Sequence, residues 1–438
     1  MSRPTGLMEM NSRLPLILML ASKAFAPSLT FAATVVPASA PVPAAQAVNA
    51  LGVELLAHGT VSDANALLAP YSIQAALAMT YAGSDGITRD EMQRVLHYAT
   101  EENEPHRAFA ALQKALDEVV ARSGALAEAA RKRGRQVDPI TLTLANRLFG
   151  QDGYEFREPF LALVKDGYGA PFQPMDFVRS PTDAAREINT WVEEKTSQRI
   201  RDLIPPDGLD RDTRLVLVNA IYLRAPWVEP FLESATKPRP FHVGGGPALE
   251  VPTMLRQGRL GHARRDGYSV VTIPYSGNDL QFLVLLPDAT NGLAALEAKL
   301  TPELLAAAAS PATAEIILHL PRLKLEPPVF KLGRVLQTLG MRSAFDQPRG
   351  SANFDRMAPR RPDDYLRISE VFHKTFLALD EKGTEAAAAT AVTMVRVTSV
   401  AVDQSKPIEV RVDHPFLFAI QHRPSGACLF LGRITDPR

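Results

Sequence analysis

The sequence predicts an α+β fold, in which amphipathic helices are interspersed with buried strands. Two observations carry this. Residues 183–204 set Ile188, Trp191, Val192, Thr196 and Ile200 near one face, the spacing of a helix lying on a core. By contrast, Leu215-Val216-Leu217-Val218 and the C-terminal runs 416–420 and 429–431 are continuously apolar, as strands buried on both faces are.

Composition bounds the rest. The 438 residues allow one large domain or up to three ordinary ones. A hydrophobic content of 46% with 22% charged residues is that of a globular chain with a sizeable core. Forty-eight basic and 48 acidic residues leave no net charge, so nothing argues for nucleic acid or an anionic membrane as the main partner. The single cysteine, Cys428, excludes an intramolecular disulfide framework and a cysteine-based zinc site. No nucleophile elbow, zinc-protease helix, phosphate-binding loop or dinucleotide fingerprint occurs. No metal and no cofactor are therefore expected.

In chain order, residues 1–49 read as a targeting segment followed by an Ala/Pro-rich spacer. Arg3 and Arg13 precede the apolar run 14–21, which is too short to span a bilayer. The small-x-small sites at 24–26 and 38–40 are each followed by proline (Pro27, Pro41), which leaves the cleavage point open. The expected location is secreted, extracellular or periplasmic, with an uncleaved membrane anchor as the alternative. The folded domain is expected over 50–438.

Residues 48–98 show a helical period, and Pro70 suits the first turn of a helix because its missing N–H costs nothing there. Residues 107–138 read as a polar helix ending in Arg131-Lys132-Arg133-Gly134-Arg135. A charge run of this kind is usually a solvated face. The alternation in 140–149 predicts a sheet strand, and 329–339 predicts a helix closed by Gly340. Residues 366–379 predict a half-buried strand carrying His373.

The stretch 380–399 organises the chain. Gly383 interrupts the strand pattern and offers a hinge. Small and then β-branched residues follow. Read as a strand, one face carries Thr384, Ala386, Ala388, Thr390, Val392 and Met394, all fit for burial. The other carries Glu385 and Thr393, which can stay in water. On its own the segment reads more readily as a helix or linker, since Glu-Ala-Ala-Ala-Ala favours helix.

The segment Glu381-Lys382-Gly383-Thr384-Glu385-Ala386-Ala387-Ala388-Ala389-Thr390 resembles the hinge of the serpins, the serine protease inhibitor superfamily. So does 215–227, with Asn219 and Trp227 at marker positions, and so do 65–73, 183–204 and both C-terminal strands. The resemblance runs through nearly the whole chain after the targeting segment. One departure is Ala69, where the family usually has serine, while Ser72 matches.

The resemblance implies one domain of three β-sheets with about eight or nine helices and an exposed reactive-centre loop, about 381–406. It implies a monomeric inhibitor that is not an enzyme and that traps a serine endopeptidase covalently, with a cysteine protease as an alternative. The hinge would be Glu381, Gly383, Thr384, Glu385, Ala386, Ala387, Ala388, Ala389 and Thr390. Counting from Glu381 places the reactive bond between Val397 and Thr398, which suits elastase-like enzymes. Arg396 is the alternative and would favour trypsin-like enzymes; Ser399 is another. Ser72, Asn219 and His373 would form a polar latch between central strands, His373 bonding Asn219, rather than His373 acting as a general base. Trp227 would mark the breach at the top of the sheet. Polyanion binding by 131–135 stays open. The rival readings are a non-inhibitory binding, carrier or chaperone serpin and an unrelated hydrolase.

Overall fold

The computed structural model describes residues 43–61, 63–99, 104–134, 137–244, 247–385 and 406–438. The expected targeting segment through residue 42, hinge residues Ala386 to Thr390, and Arg396, Val397, Thr398 and Ser399 lie outside the described residues. So does Arg135 of the basic run.

The helices are α1 (Pro43–Gly59), α2 (Pro70–Ala82), α3 (Gly86–Val95), α4 (Glu104–Lys132), α5 (Glu158–Tyr168), α6 (Pro181–Lys195), α7 (Leu293–Lys299), α8 (Pro302–Ala308) and α9 (Gly333–Leu339). The strands are β1 (Ala66–Leu68), β2 (Thr141–Gln151), β3 (Phe172–Met175), β4 (Leu215–Pro226), β5 (Lys237–Phe241), β6 (Leu249–Arg265), β7 (Tyr268–Pro274), β8 (Leu280–Pro287) and β9 (Thr313–Pro321). They continue as β10 (Leu323–Leu325), β11 (Phe330–Lys331), β12 (Phe372–His373), β13 (Leu377–Leu379), β14 (Gly383–Thr384), β15 (Ile408–Arg411), β16 (Phe416–His422) and β17 (Ala427–Ile434). Among the described residues these strands form three sheets, so the fold is α+β as expected.

The largest sheet runs β1-β17-β16-β8-β7-β6-β9-β15, with β5 on β6. Its strands β8, β16 and β17 are buried throughout, because both faces are covered and a continuous apolar run can satisfy both. The central sheet runs β10-β13-β14-β4-β2-β3, and β11 pairs β12 separately. Alternation along β4 assigns its two faces. Val218 and Ala220 meet Ile188 and Val192 of α6 in a small core. Ile221, Leu223 and Ala225 face the main core, so Asn219 shares their side by the two-residue period of a strand.

Several ends follow their local chemistry. Pro70 opens α2 and Pro181 opens α6. Gly340 closes α9 at φ 118°, a left-handed cap. Three expectations are corrected. The spacer through residue 49 is too long: α1 begins at Pro43, and Ala44, Ala45, Ala47 and Val48 are buried, so Ala-rich sequence here serves close helix packing. The helix expected over 183–204 stops at Lys195, because Ser197 and Gln198 turn the chain with positive φ. The strand expected over 366–379 is broken into β12 and β13, and between them Thr375 donates its hydroxyl to the Leu67 carbonyl at 3.0 Å.

Phe418 stacks on Phe282 at 5.5 Å, in space left by Gly432, where a Cβ would come within 2.8 Å of the Phe418 ring. Phe418→Ala is expected to destabilise the protein by about 3–5 kcal/mol, read as a lower urea midpoint; an unchanged midpoint would contradict this packing.

Candidate functional site: hinge and slot of the central sheet

The hinge is anchored by two carboxyl groups, of the half-buried Asp380 and the buried Glu381. Asp380 Oδ1 accepts the N–H groups of Lys382 at 2.8 Å and Gly383 at 3.2 Å, closing a tight turn. Burial raises the pKa of this acid, against the lowering effect of those N–H groups. Glu381 accepts from the Arg322 Nε at 2.8 and 3.0 Å and forms an ion pair with its Nη2 at 2.6 Å. Burial opposes the Glu381 charge, but Arg322 and the Thr236 hydroxyl outweigh it and hold the pKa below the usual range.

Trp227 clamps this turn from β4. Its backbone N–H donates to Lys382 O at 2.9 Å and its indole N–H to Asp380 O at 3.0 Å. The indole stacks on Tyr275, centroids 4.5 Å apart and planes 10° apart. The Tyr275 hydroxyl in turn hydrogen-bonds the Thr384 hydroxyl at 2.5 Å. Thr384 is thus seated in the sheet, 1% exposed, opposite Ala225, while Gly383 faces Pro226. A Cβ on Gly383 would overlap the Ala225 carbonyl and come within 2.7 Å of the Pro226 Cα, so only glycine fits.

Glu385 departs from its expected place in water. Its side chain is only 8% exposed and forms an ion pair with Arg199. Its φ of 51° turns the chain out of the sheet there. The alternation that predicted an outward side chain was correct for a straight strand; the connection after α6 covers that face and removes the water.

Below Thr384 the sheet is open. Among the described residues, β13 joins β4 only through the two residues of β14. A cleft of about 700 Å³ lies between Arg214 with residues 215–219 of β4 and residues 363–373, and Leu203, Ile204 and Leu209 also line it. The edge of β4 from Leu215 to Arg224 has a partner on the β2 side only, among the described residues. Ten residues of strand span about 33 Å. Among the described residues this strand position is vacant.

The latch residues sit at the middle of this slot. The Ser72 hydroxyl donates to the Asn219 side-chain oxygen, and Asn219 Nδ2 donates to Asn146 Oδ1. Asn146 passes the chain on to Tyr168 O at 2.8 Å. Asn146 was missed in the sequence, since its position opposite Asn219 depends on the β2–β4 register. His373 is not bonded to Asn219 as expected. Its Nε2 accepts the Ala69 N–H at 3.1 Å, because β12 lies on the far flank of the cleft, in register with β11. The latch therefore holds both flanks to the start of α2: Ser72 ties β4 and His373 ties β12. With a backbone amide as its partner, His373 is fixed as a neutral acceptor.

Burial pushes the His373 pKa down to about 4. The unfolded chain takes up this proton near the ordinary value of about 6.5, so the native state loses stability as pH falls from 6.5 towards 4. His106 and His422 are depressed to about 4 by burial in the same way. His373→Gln is expected to reduce the loss of stability between pH 7 and 4 by up to roughly 3 kcal/mol, measured by urea unfolding. Identical acid sensitivity in the variant would contradict a neutral buried His373.

A mixed fold whose central sheet, among the described residues, leaves a strand position beside β4 vacant below Gly383 and Thr384 defines the class. The comparisons name it. The family profile described as serpin (serine protease inhibitor) matches residues 46–437, and the chain belongs to the serpin family. It is 36% identical over 382 residues to the leukocyte elastase inhibitor of Bos taurus, covering 85% of this chain and 93% of that one. The structure of cleaved serpin 42Da superposes with a TM-score of 0.73 at 28% identity, over 91% of this chain and 99% of that one. Human thyroxine-binding globulin matches with a TM-score of 0.73 at 25% identity, over 90% and 99%.

Proposed function

We propose that the protein is a suicide-substrate inhibitor of serine endopeptidases that traps the acyl-enzyme by inserting its cleaved loop into the central sheet. The observation that carries this reading is the register at the hinge. Gly383 faces Pro226 and Thr384 faces Ala225. Continuing that antiparallel register down the slot would set Ala386 opposite Leu223, Ala388 opposite Ile221 and Thr390 opposite Asn219. Val392 would meet Leu217 and Met394 would meet Leu215. The small and apolar residues would then face the main core, and the polar Thr390 would meet the polar latch.

The chemistry belongs to the protease. Its serine Oγ attacks the Val397 carbonyl, an acyl ester forms, and the amine of Thr398 leaves. The freed strand enters the slot. About a dozen new hydrogen bonds at roughly 0.5–1.5 kcal/mol each are worth on the order of 10 kcal/mol. Burial of Val392 and Met394 adds roughly 1.5–3 kcal/mol each. This rivals the whole stability of an ordinary domain, about 5–15 kcal/mol, and suffices to deform the attached enzyme. A displacement of about 1 Å in catalytic groups costs on the order of 100-fold in rate, so the ester persists. The uncleaved form is held kinetically.

Val397 is small and β-branched, which suits a shallow apolar pocket, and the similarity to a leukocyte elastase inhibitor supports an elastase-like target. Arg396 would instead direct trypsin-like enzymes. A targeting segment before residue 43 supports action outside the cytoplasm.

Incubation with elastase is expected to give an adduct stable to heat and detergent and to release a C-terminal peptide starting at Thr398. A peptide starting at Val397, with an adduct to trypsin, would move the reactive bond to Arg396. Cleavage without an adduct across a panel of serine and cysteine proteases would overturn the inhibitor reading in favour of a carrier. Thr384→Arg places a charge against Tyr275, at a cost of several kcal/mol, and is expected to convert inhibitor into substrate; trapping at wild-type stoichiometry would contradict insertion.

A further inference from the structure

The ion pair at Glu385 lies where the hinge leaves the sheet, and its two members belong to different moving parts. Arg199 stands on the connection between α6 and β4, just after the turn made by Ser197 and Gln198. Farther along the same connection, Leu203, Ile204 and Leu209 line the slot. The Arg199 guanidinium also lies over the Phe376 ring, 5.2 Å from its centroid, and so touches the segment leading into β13. Glu385 follows Thr384 directly, and its N–H donates to Ala378 O of β13 at 2.9 Å.

The burial is lopsided: the acid is 8% exposed and the base 50%. Both Glu385 carboxylate oxygens are shielded from water and receive no hydrogen bond from backbone amides. A buried carboxylate without a counter-charge costs several kcal/mol. Tyr222 of β4 stands beside it; burial and then a hydrogen bond with Glu385 raise the pKa of this phenol, which stays protonated. Arg199 therefore supplies the compensating charge.

We propose that Arg199 is a positioning residue for strand insertion: through Glu385 it clasps the hinge in its seated position and ties it to the segment covering the slot. Release of the clasp frees the hinge and the cover together, and its strength sets how often the slot opens. The role in insertion rests on the inhibitor reading; the clasp itself does not. This assigns control of the hinge to a residue 186 positions from Glu385 in sequence (385 − 199).

The test is amide hydrogen–deuterium exchange of the segment 378–385 and of Trp227, whose N–H donates to Lys382 O. Arg199→Ala is expected to speed exchange of these amides about tenfold, whereas Arg199→Lys, which keeps a charge, changes it little. In a Glu385→Ala background, Arg199→Ala is expected to add nothing, because the pair is already broken. Unchanged exchange in Arg199→Ala would overturn the clasp. So would an increase of the same size with and without Glu385, since stacking on Phe376 would then be the cause. None of these outcomes depends on a protease, so a failure to trap any protease would sink the inhibitor reading and leave the clasp standing.

Discussion

Backbone amides and carbonyls on a strand edge must find partners, and an unpaired edge beside another strand is a standing invitation to a third. The central sheet keeps such an edge on β4 and spans it at the top by only Gly383 and Thr384 among the described residues. The hinge chemistry serves this one constraint. Asp380 and Glu381 fix the turn, Trp227 and Tyr275 hold Thr384, and Glu385 follows with a positive φ. Among the described residues the slot is started but not completed.

The polar latch has a matching task. A dry slot lined only by aliphatic residues would tend to close upon itself, whereas Ser72, Asn219 and Asn146 form a bonded chain on one flank. His373 anchors the other flank to Ala69 at the opening of α2. Both flanks are thus referred to one helix end. Because Ser72, Asn219, Asn146 and the His373 Nε2 each have a partner, the arrangement is specific as well as tolerable in a core. The same site would receive Thr390 in the proposed inserted register, so a polar residue in the loop falls where polar partners wait.

Much of the architecture was legible in the sequence because it rests on local patterns. The apolar runs in β16 and β17, the proline opening α2 and the glycine closing α9 each carry their own physical signal. Thr384 as an inward residue followed from alternation once the resemblance had made the segment a strand. Other features depend on partners distant in sequence. Asn146 acquires a role only when β2 pairs with β4, and His373 turns to Ala69 because β12 pairs with β11 rather than with β4. The Ala-rich start of α1 looks like spacer until its neighbours are present, and Glu385 looks solvated until Arg199 is brought over it. Sequence reveals which residues can be buried; the topology decides which of them are.

The central claim is that the slot of the central sheet is completed by the protein's own loop once that loop is cut. The most direct measurement is thermal unfolding of the intact protein and of protein nicked once within the loop by a protease that it does not trap, the cut being located by mass spectrometry. On the order of 10 kcal/mol of new strand pairing should raise the unfolding midpoint of the nicked form by about 10 °C or more. A nicked form that melts at or below the intact midpoint would contradict the claim.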